Sequence, residues 1–160
     1  MFNQSSNNMF ANLNTIEIIK FGEFIDTSQV TNMKGMFYKC SNLLEVDVGG
    51  FDTSKVNNLV FTFEGCSSLK VLDVSDWDTS NVTSMYSTFD GCSSLTSLDV
   101  SKFDTSKVAR MENTFSGCSG LTMLDVSNFD TSSVTNMKQM FYGCSGLTML
   151  DVSNRYVRYV

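Results

Sequence analysis

Cys40, Cys66, Cys92, Cys118 and Cys144 follow one another at a constant step of 26 residues, and almost every apolar position of the chain keeps the same step. A side chain that recurs in this way takes the same slot in successive stacked units. The period therefore directs the chain into a one-dimensional stack in which each copy buries its apolar side against its neighbours. Leu43, Leu69, Leu95, Leu121 and Leu147 form one column; Val46, Leu72, Leu98, Leu124 and Leu150 form the next. Further columns are Val48 to Val152, the aromatic set Phe51, Trp77, Phe103 and Phe129, and Phe37, Phe63, Phe89, Phe115 and Phe141.

Two local periods alternate inside each copy. Leu98-Asp99-Val100 alternates apolar and polar, as a short strand does. Val82, Met85 and Phe89 fall on one stripe at helical spacing, which predicts a helix of about two turns. Asp78-Thr79-Ser80 supplies the residue types that cap a helix start. Gly91, with Gly65, Gly117 and Gly143 in the same column, suits the residue just past a helix end; Lys39 in that column predicts a different turn in its copy. Each unit thus reads as strand, turn, short helix, turn.

The ends depart from the pattern. Met9-Phe10 matches Met36-Phe37 and Leu13 takes the slot of Cys40, so the first copy is offset by one extra residue, placed near Phe24-Ile25. The polar run Gln4–Asn8 is expected to shield this terminal rung. The segment Asn154–Val160 is short for a cap and is expected to fold over the last sheet edge, which would otherwise invite pairing with another chain. The reading is one domain over residues 1–160: a partial repeat at 1–24, 26-residue repeats at about 25–153, and a tail at 154–160. Because the chain starts mid-repeat, it reads as a fragment of something longer.

Composition narrows the chemistry. The chain has no histidine and a formal charge of −6. Ser-His-Asp and Cys-His catalysis and imidazole metal sites are therefore excluded, and so is nucleic acid, whose binding rewards Lys and Arg. No apolar run approaches the ~20 residues that span a bilayer, so no membrane insertion is expected, and no cofactor is implied. The start lacks a basic and apolar leader, which leaves a cytoplasmic location open.

The recurrent string GCSSLTSLDVSKFDTSKV…MENTF and its variant GCSGLTMLDVSNFDTSSVTNMKQMF resemble the BspA-like leucine-rich repeats, in the 26-residue form of mycoplasma-type lipoproteins and bacterial surface proteins. The resemblance covers residues 9 to 153. It implies an α/β repeat: a right-handed leucine-rich-repeat solenoid with short parallel strands on one face and short helices on the other. It also implies display at a cell surface or secretion, and a role in adhesion or protein binding, with no catalytic residues.

The cysteine column reads as buried free thiols that behave as small hydrophobes. Disulfides are the second reading and a metal site the last, because no C-x-x-C pair is present. Asp47, Asp73, Asp99, Asp125 and Asp151 point away from the core; a structural or solubilising ladder is favoured over a row of carboxylates for a basic partner. Asp26, Asp52, Asp78, Asp104 and Asp130 precede Thr-Ser in every copy, which capping and turns explain. Thr27, Thr53, Thr79, Thr105 and Thr131 form a hydroxyl ladder that could match ice, a minor reading. The positions that do not repeat are the more informative: Glu45, Val71, Ser97, Met123 and Met149 on the exposed sheet, beside Leu44, Lys70, Thr96, Thr122 and Thr148. Met123 and Met149 beside Asp125 and Asp151 would form an adaptable apolar strip with an acidic border; free drift is the competing reading.

The leading expectation is a non-enzymatic module that grips an unknown protein partner along the concave sheet through Asp73, Asp99, Asp125, Asp151, Val71, Ser97, Met123 and Met149. The alternative is a structural spacer or a rod that self-associates end to end.

Overall fold

The computed structural model describes residues 2–22 and 25–152. Its unit is a rung of 26 residues stacked in parallel on the next. The stripe Val82, Met85 and Phe89 is buried as its periodicity requires, but its backbone is not helical. Among the described residues there is no helix, so the expected layer of short helices is replaced by a run of tight turns.

The reason lies in where the N–H groups go. Met85, Ser87, Phe89 and Gly91 donate to the carbonyls of Arg110, Glu112, Thr114 and Ser116 on the following rung, at 2.7 to 2.9 Å. The alternating residues Thr88, Asp90 and Cys92 close turns onto Met85, Ser87 and Phe89, three residues back. A helix would send every one of these groups four residues back along its own chain. Two residues of the segment, four apart, are also left-handed, with φ of +52° at Ser87 and +74° at Gly91, and such residues interrupt a right-handed helix. The stripe at i, i+3 and i+7 therefore records which residues face inward, and two conformations share it.

The column expected to end a helix is thus a left-handed turn position. Gly65, Gly117 and Gly143 share it, and Lys39 adopts it as well at +56°; the turn in that copy is the same, not different. The expected caps have no helix to cap. Asp78 Oδ1 accepts the Ser80 N–H at 2.9 Å, a local turn of the kind aspartate favours.

This turn face is bridged without a gap from Ser5 through Asn32, Asn58, Ser84 and Arg110 to Asn136. The opposite face carries the strands β1 (Ile18–Ile19), β2 (Glu45–Val46), β3 (Val71–Leu72), β4 (Met123–Asp125) and β5 (Met149–Asp151). They pair in parallel as β1-β2-β3 and, separately, as β4-β5. The rung between the two sheets, Thr96–Asp99, belongs to neither. Leu98-Asp99-Val100, whose alternation predicts a strand, is the copy that does not form one.

Between the faces, Phe10, Phe37, Phe63, Phe89, Phe115 and Phe141 stack with centroids 5.2 to 5.8 Å apart and planes within 11° of parallel. The separations exceed the ~4.8 Å strand spacing, so the rings are offset, the arrangement their quadrupoles favour. Trp77 takes a phenylalanine slot and donates its indole N–H to the Val48 carbonyl at 3.2 Å. Phe2 packs against Phe10, Phe21 and Phe51, so an aromatic ring helps cover the first rung beside the polar run expected to shield it. Rung pairing changes from a 27-residue offset at Ile19↔Val46 to a 26-residue offset at Asn32↔Asn58. Phe24 and the tail 154–160 lie outside the described residues.

Candidate functional site

The constant columns are occupied by the stack itself. All five cysteines are free, four buried and Cys144 half-buried. Each thiol donates to a phenylalanine carbonyl of the preceding rung: Cys66 to Phe37 at 3.1 Å, Cys92 to Phe63 at 3.3 Å, Cys118 to Phe89 at 3.1 Å. Burial pushes every one of these thiols above its usual value, which leaves little thiolate for nucleophilic chemistry near neutral pH. The threonines of the hydroxyl ladder are buried too. Thr27, Thr53, Thr79 and Thr105 donate to the carbonyls of Asp52, Asp78, Asp104 and Asp130 at 2.9 to 3.2 Å, so they present no row to solvent.

The aspartates of the strand face are exposed and partly committed. Asp73 Oδ1 accepts from the Ser75 N–H at 3.0 Å and hydroxyl at 2.7 Å, and Asp99 does the same with Ser101. Asp125 accepts the Ser127 N–H at 2.9 Å. The serine hydrogen bonds hold the Asp73 and Asp99 carboxyls below the usual carboxylate range. In each of these cases the turn engages one carboxylate oxygen.

Between these carboxylates lie the residues that vary. Val71 is 60% exposed, and Met123 and Met149 are 55% exposed each. β4 and β5 set Met123 beside Met149 and Asp125 beside Asp151, in register. Val71 pairs instead with Glu45, and Val71 and Asp73 are separated from the methionine patch by the unpaired rung carrying Ser97. The expected site residues therefore form two groups on one face. Where the sheet is interrupted there is a cleft of about 400 Å³ lined by Thr96, Ser97, Asp99, Thr122, Met123 and Asp125 among others. Thr96, Ser97, Thr122 and Met123 of this cleft stand in variable columns and Asp99 and Asp125 in a constant one, but nothing in the sequence marks the break in pairing.

A second non-repeating cluster, on the turn face, is not anticipated by the sequence reading. Phe61 is left-handed at φ +61° and packs between Tyr38, at 6.0 Å, and Tyr86, at 5.1 Å. Arg110 lies 4.7 Å over the Tyr86 ring and pairs with Glu112 at 2.9 Å, whose carboxylate also accepts from Asn136. Beside this cluster, burial pushes the Glu64 and Asp90 carboxyls up. The signal is the column Gly35, Phe61, Ser87, Asn113 and Gln139, in which a bulky ring stands where Gly35 and Asn113 are residue types that favour a left-handed backbone.

No curated protein matches the chain. Among solved structures, a leucine rich cell surface protein from Faecalibacterium prausnitzii A2-165 is 18% identical, with a TM-score of 0.41 over 87% of this chain. The chain spans about a third of that protein, 32% of its length. A family profile matches residues 4–98 and again residues 62–158, so that the two matches together run through nearly all of the rungs. The chain belongs to the family described as Mycoplasma protein of unknown function, DUF285.

Proposed function

We propose that the chain is a non-catalytic binding module of a surface protein, and that it holds a protein partner along its strand face. The observation that carries this reading is the exposure of Val71, Met123 and Met149 on a face that also carries a constant column of aspartates. Large apolar side chains in open solvent beside a row of carboxylates match the composition of protein-binding surfaces. Methionine adapts to partners of varied shape. The family resemblance agrees with display outside the cell. Catalysis finds no support: four of the five thiols are buried, burial pushes all five above their usual value, and histidine is absent.

Selection of a random-peptide display library on the immobilised chain tests the reading. Clones should be enriched whose binding is lost on the triple variant Val71→Ser, Met123→Ser, Met149→Ser. Clones that bind this folded variant as well as the parent chain would place recognition elsewhere.

A further inference from the structure

The interrupted rung is the one place where the strand face offers more than side chains. On every other described rung of this face, backbone hydrogen bonds run to a neighbour: Leu44 N–H to Glu17, Lys70 N–H to Leu44, Thr148 N–H to Thr122. Among the described residues, none runs from Thr96, Ser97, Leu98 or Asp99 to an adjoining rung. Unmade backbone hydrogen bonds are costly unless solvent or a ligand satisfies them. Here they border the 400 Å³ cleft, whose lining includes two carboxylates, Asp99 and Asp125, the methionine Met123, and the hydroxyls of Thr96, Ser97 and Thr122. Ser101 and Ser127 engage Oδ1 of these aspartates, which leaves each a second oxygen. Lys102, whose charge acts on Asp99, is paired with Asp76 at 2.9 Å.

We propose that this cleft receives an arginine side chain of the protein partner, with its guanidinium between Asp99 and Asp125 and its methylene stem along Met123. The inference rests on the proposed binding role of the strand face and names the chemistry that would be read there. Guanidinium fits the site better than ammonium does. It is a planar fork of five donors and no acceptor, and the cleft presents acceptors, namely two carboxylates and unpaired backbone carbonyls. Its weak hydration and long stem suit a partly apolar wall. The equivalent columns in the paired sheet, Glu45 with Asp47 and Val71 with Asp73, carry comparable side chains without the unpaired rung. They serve as controls within the same molecule.

The test uses the full chain labelled in its methionine methyl groups and backbone amides, titrated with N-acetyl-arginine amide, its lysine counterpart and its citrulline counterpart. The arginine probe should shift the Met123 methyl and the Thr96–Asp99 amides, with at least about fivefold tighter binding than lysine, and citrulline should shift nothing. Asp99→Asn with Asp125→Asn should abolish the shifts, whereas Asp47→Asn should leave them. Asparagine can still accept the Ser101 and Ser127 hydrogen bonds, and the comparison of arginine with citrulline needs no variant. Equal shifts from lysine, or arginine shifts centred on Glu45 and Val71, would overturn the proposal. Library clones that need Val71, Met123 and Met149 but bind Asp99→Asn with Asp125→Asn unchanged would refute the arginine site and leave the binding face standing.

Discussion

The rung from Thr79 to Phe103 is fastened on one side and loose on the other. On its turn face, Met85, Ser87, Phe89 and Gly91 all donate to the rung that follows; on its strand face, Thr96–Asp99 bonds to neither neighbour. The electrostatics divide the same way. On the strand face, serine hydrogen bonds hold Asp73 and Asp99 low, and on the turn face burial pushes Glu64 and Asp90 up. In a leucine-rich-repeat reading the sheet would be the continuous element. Here the continuous element is the ladder of turns, with the phenylalanine stack behind it. The strand face is left free to vary in side chain and in pairing, the freedom a recognition surface needs.

Hydrogen exchange offers the largest effect and the most direct way to break this comparison. Local stability within one protein ranges from near zero to the global value. The amides of Ser87, Phe89 and Gly91 should exchange near the global unfolding limit, and those of Thr96–Asp99 orders of magnitude faster. Similar protection on both faces would remove the distinction.

Side-chain truncation comes next. Phe89→Ala should cost about 3–5 kcal/mol, because it leaves a cavity in the middle of the ring stack. Leu98→Ala, on the unpaired rung, should fall near the bottom of the large-to-small range, about 2 kcal/mol. Urea unfolding measures both, and equal losses would show that the two faces support the rung alike.

The titrations sharpen the comparison through their opposite signs. Asp99 has a depressed folded pKa, so its contribution is present above the unfolded value and is lost as pH falls through the folded value. Asp99→Asn should therefore lower stability at neutral pH and cost little in acid. Glu64 and Asp90 have raised folded pKa values, so their ionisation costs stability as pH rises from the unfolded value through the folded one. Glu64→Gln with Asp90→Asn should raise stability at neutral pH, and the gain should vanish below the unfolded values of about 4. Unfolding midpoints from pH 3 to 8 distinguish the two; a gain that persisted in acid would point to lost packing or hydrogen bonds in place of charge.

The smallest effect concerns Phe61. A non-glycine residue held left-handed costs about 1–2 kcal/mol, and its contacts with Tyr38 and Tyr86 return about 0.5–1.5 kcal/mol each. Phe61→Asn should thus cost about 0.5 kcal/mol, within bounds of a gain of about 1 kcal/mol and a loss of about 2 kcal/mol. Calorimetry that found a loss well beyond this would show the aromatic row to be a principal support of the turn face.

Much of the architecture could be read from spacing. The columns from Leu43 to Leu147 and from Phe37 to Phe141 are core columns, and the one-residue offset of the first copy appears in the rung pairing. The expected helices do not form, because Val82, Met85 and Phe89 report the direction of side chains, which a ladder of alternating turns satisfies as well as a helix does. The break at Ser97 was not legible, since Leu98, Asp99 and Val100 match their siblings in every respect that local pattern can register. Nor was the contact of Phe61 with Tyr38 and Tyr86, whose positions look unrelated until the copies are superposed.

The sequence by itself determined that the chain stacks, at what step, and which side chains face inward. A fixed period places like residues in like slots, and apolar burial selects them. The destination of each N–H was decided only in the tertiary structure. A backbone donor has the same chemistry in every residue, and whether it turns back three residues, crosses to the next rung or stays unpaired depends on the neighbour that packing brings to it. That choice removed the helices, joined the turn face without a gap, and opened the strand face beside Asp99 and Met123.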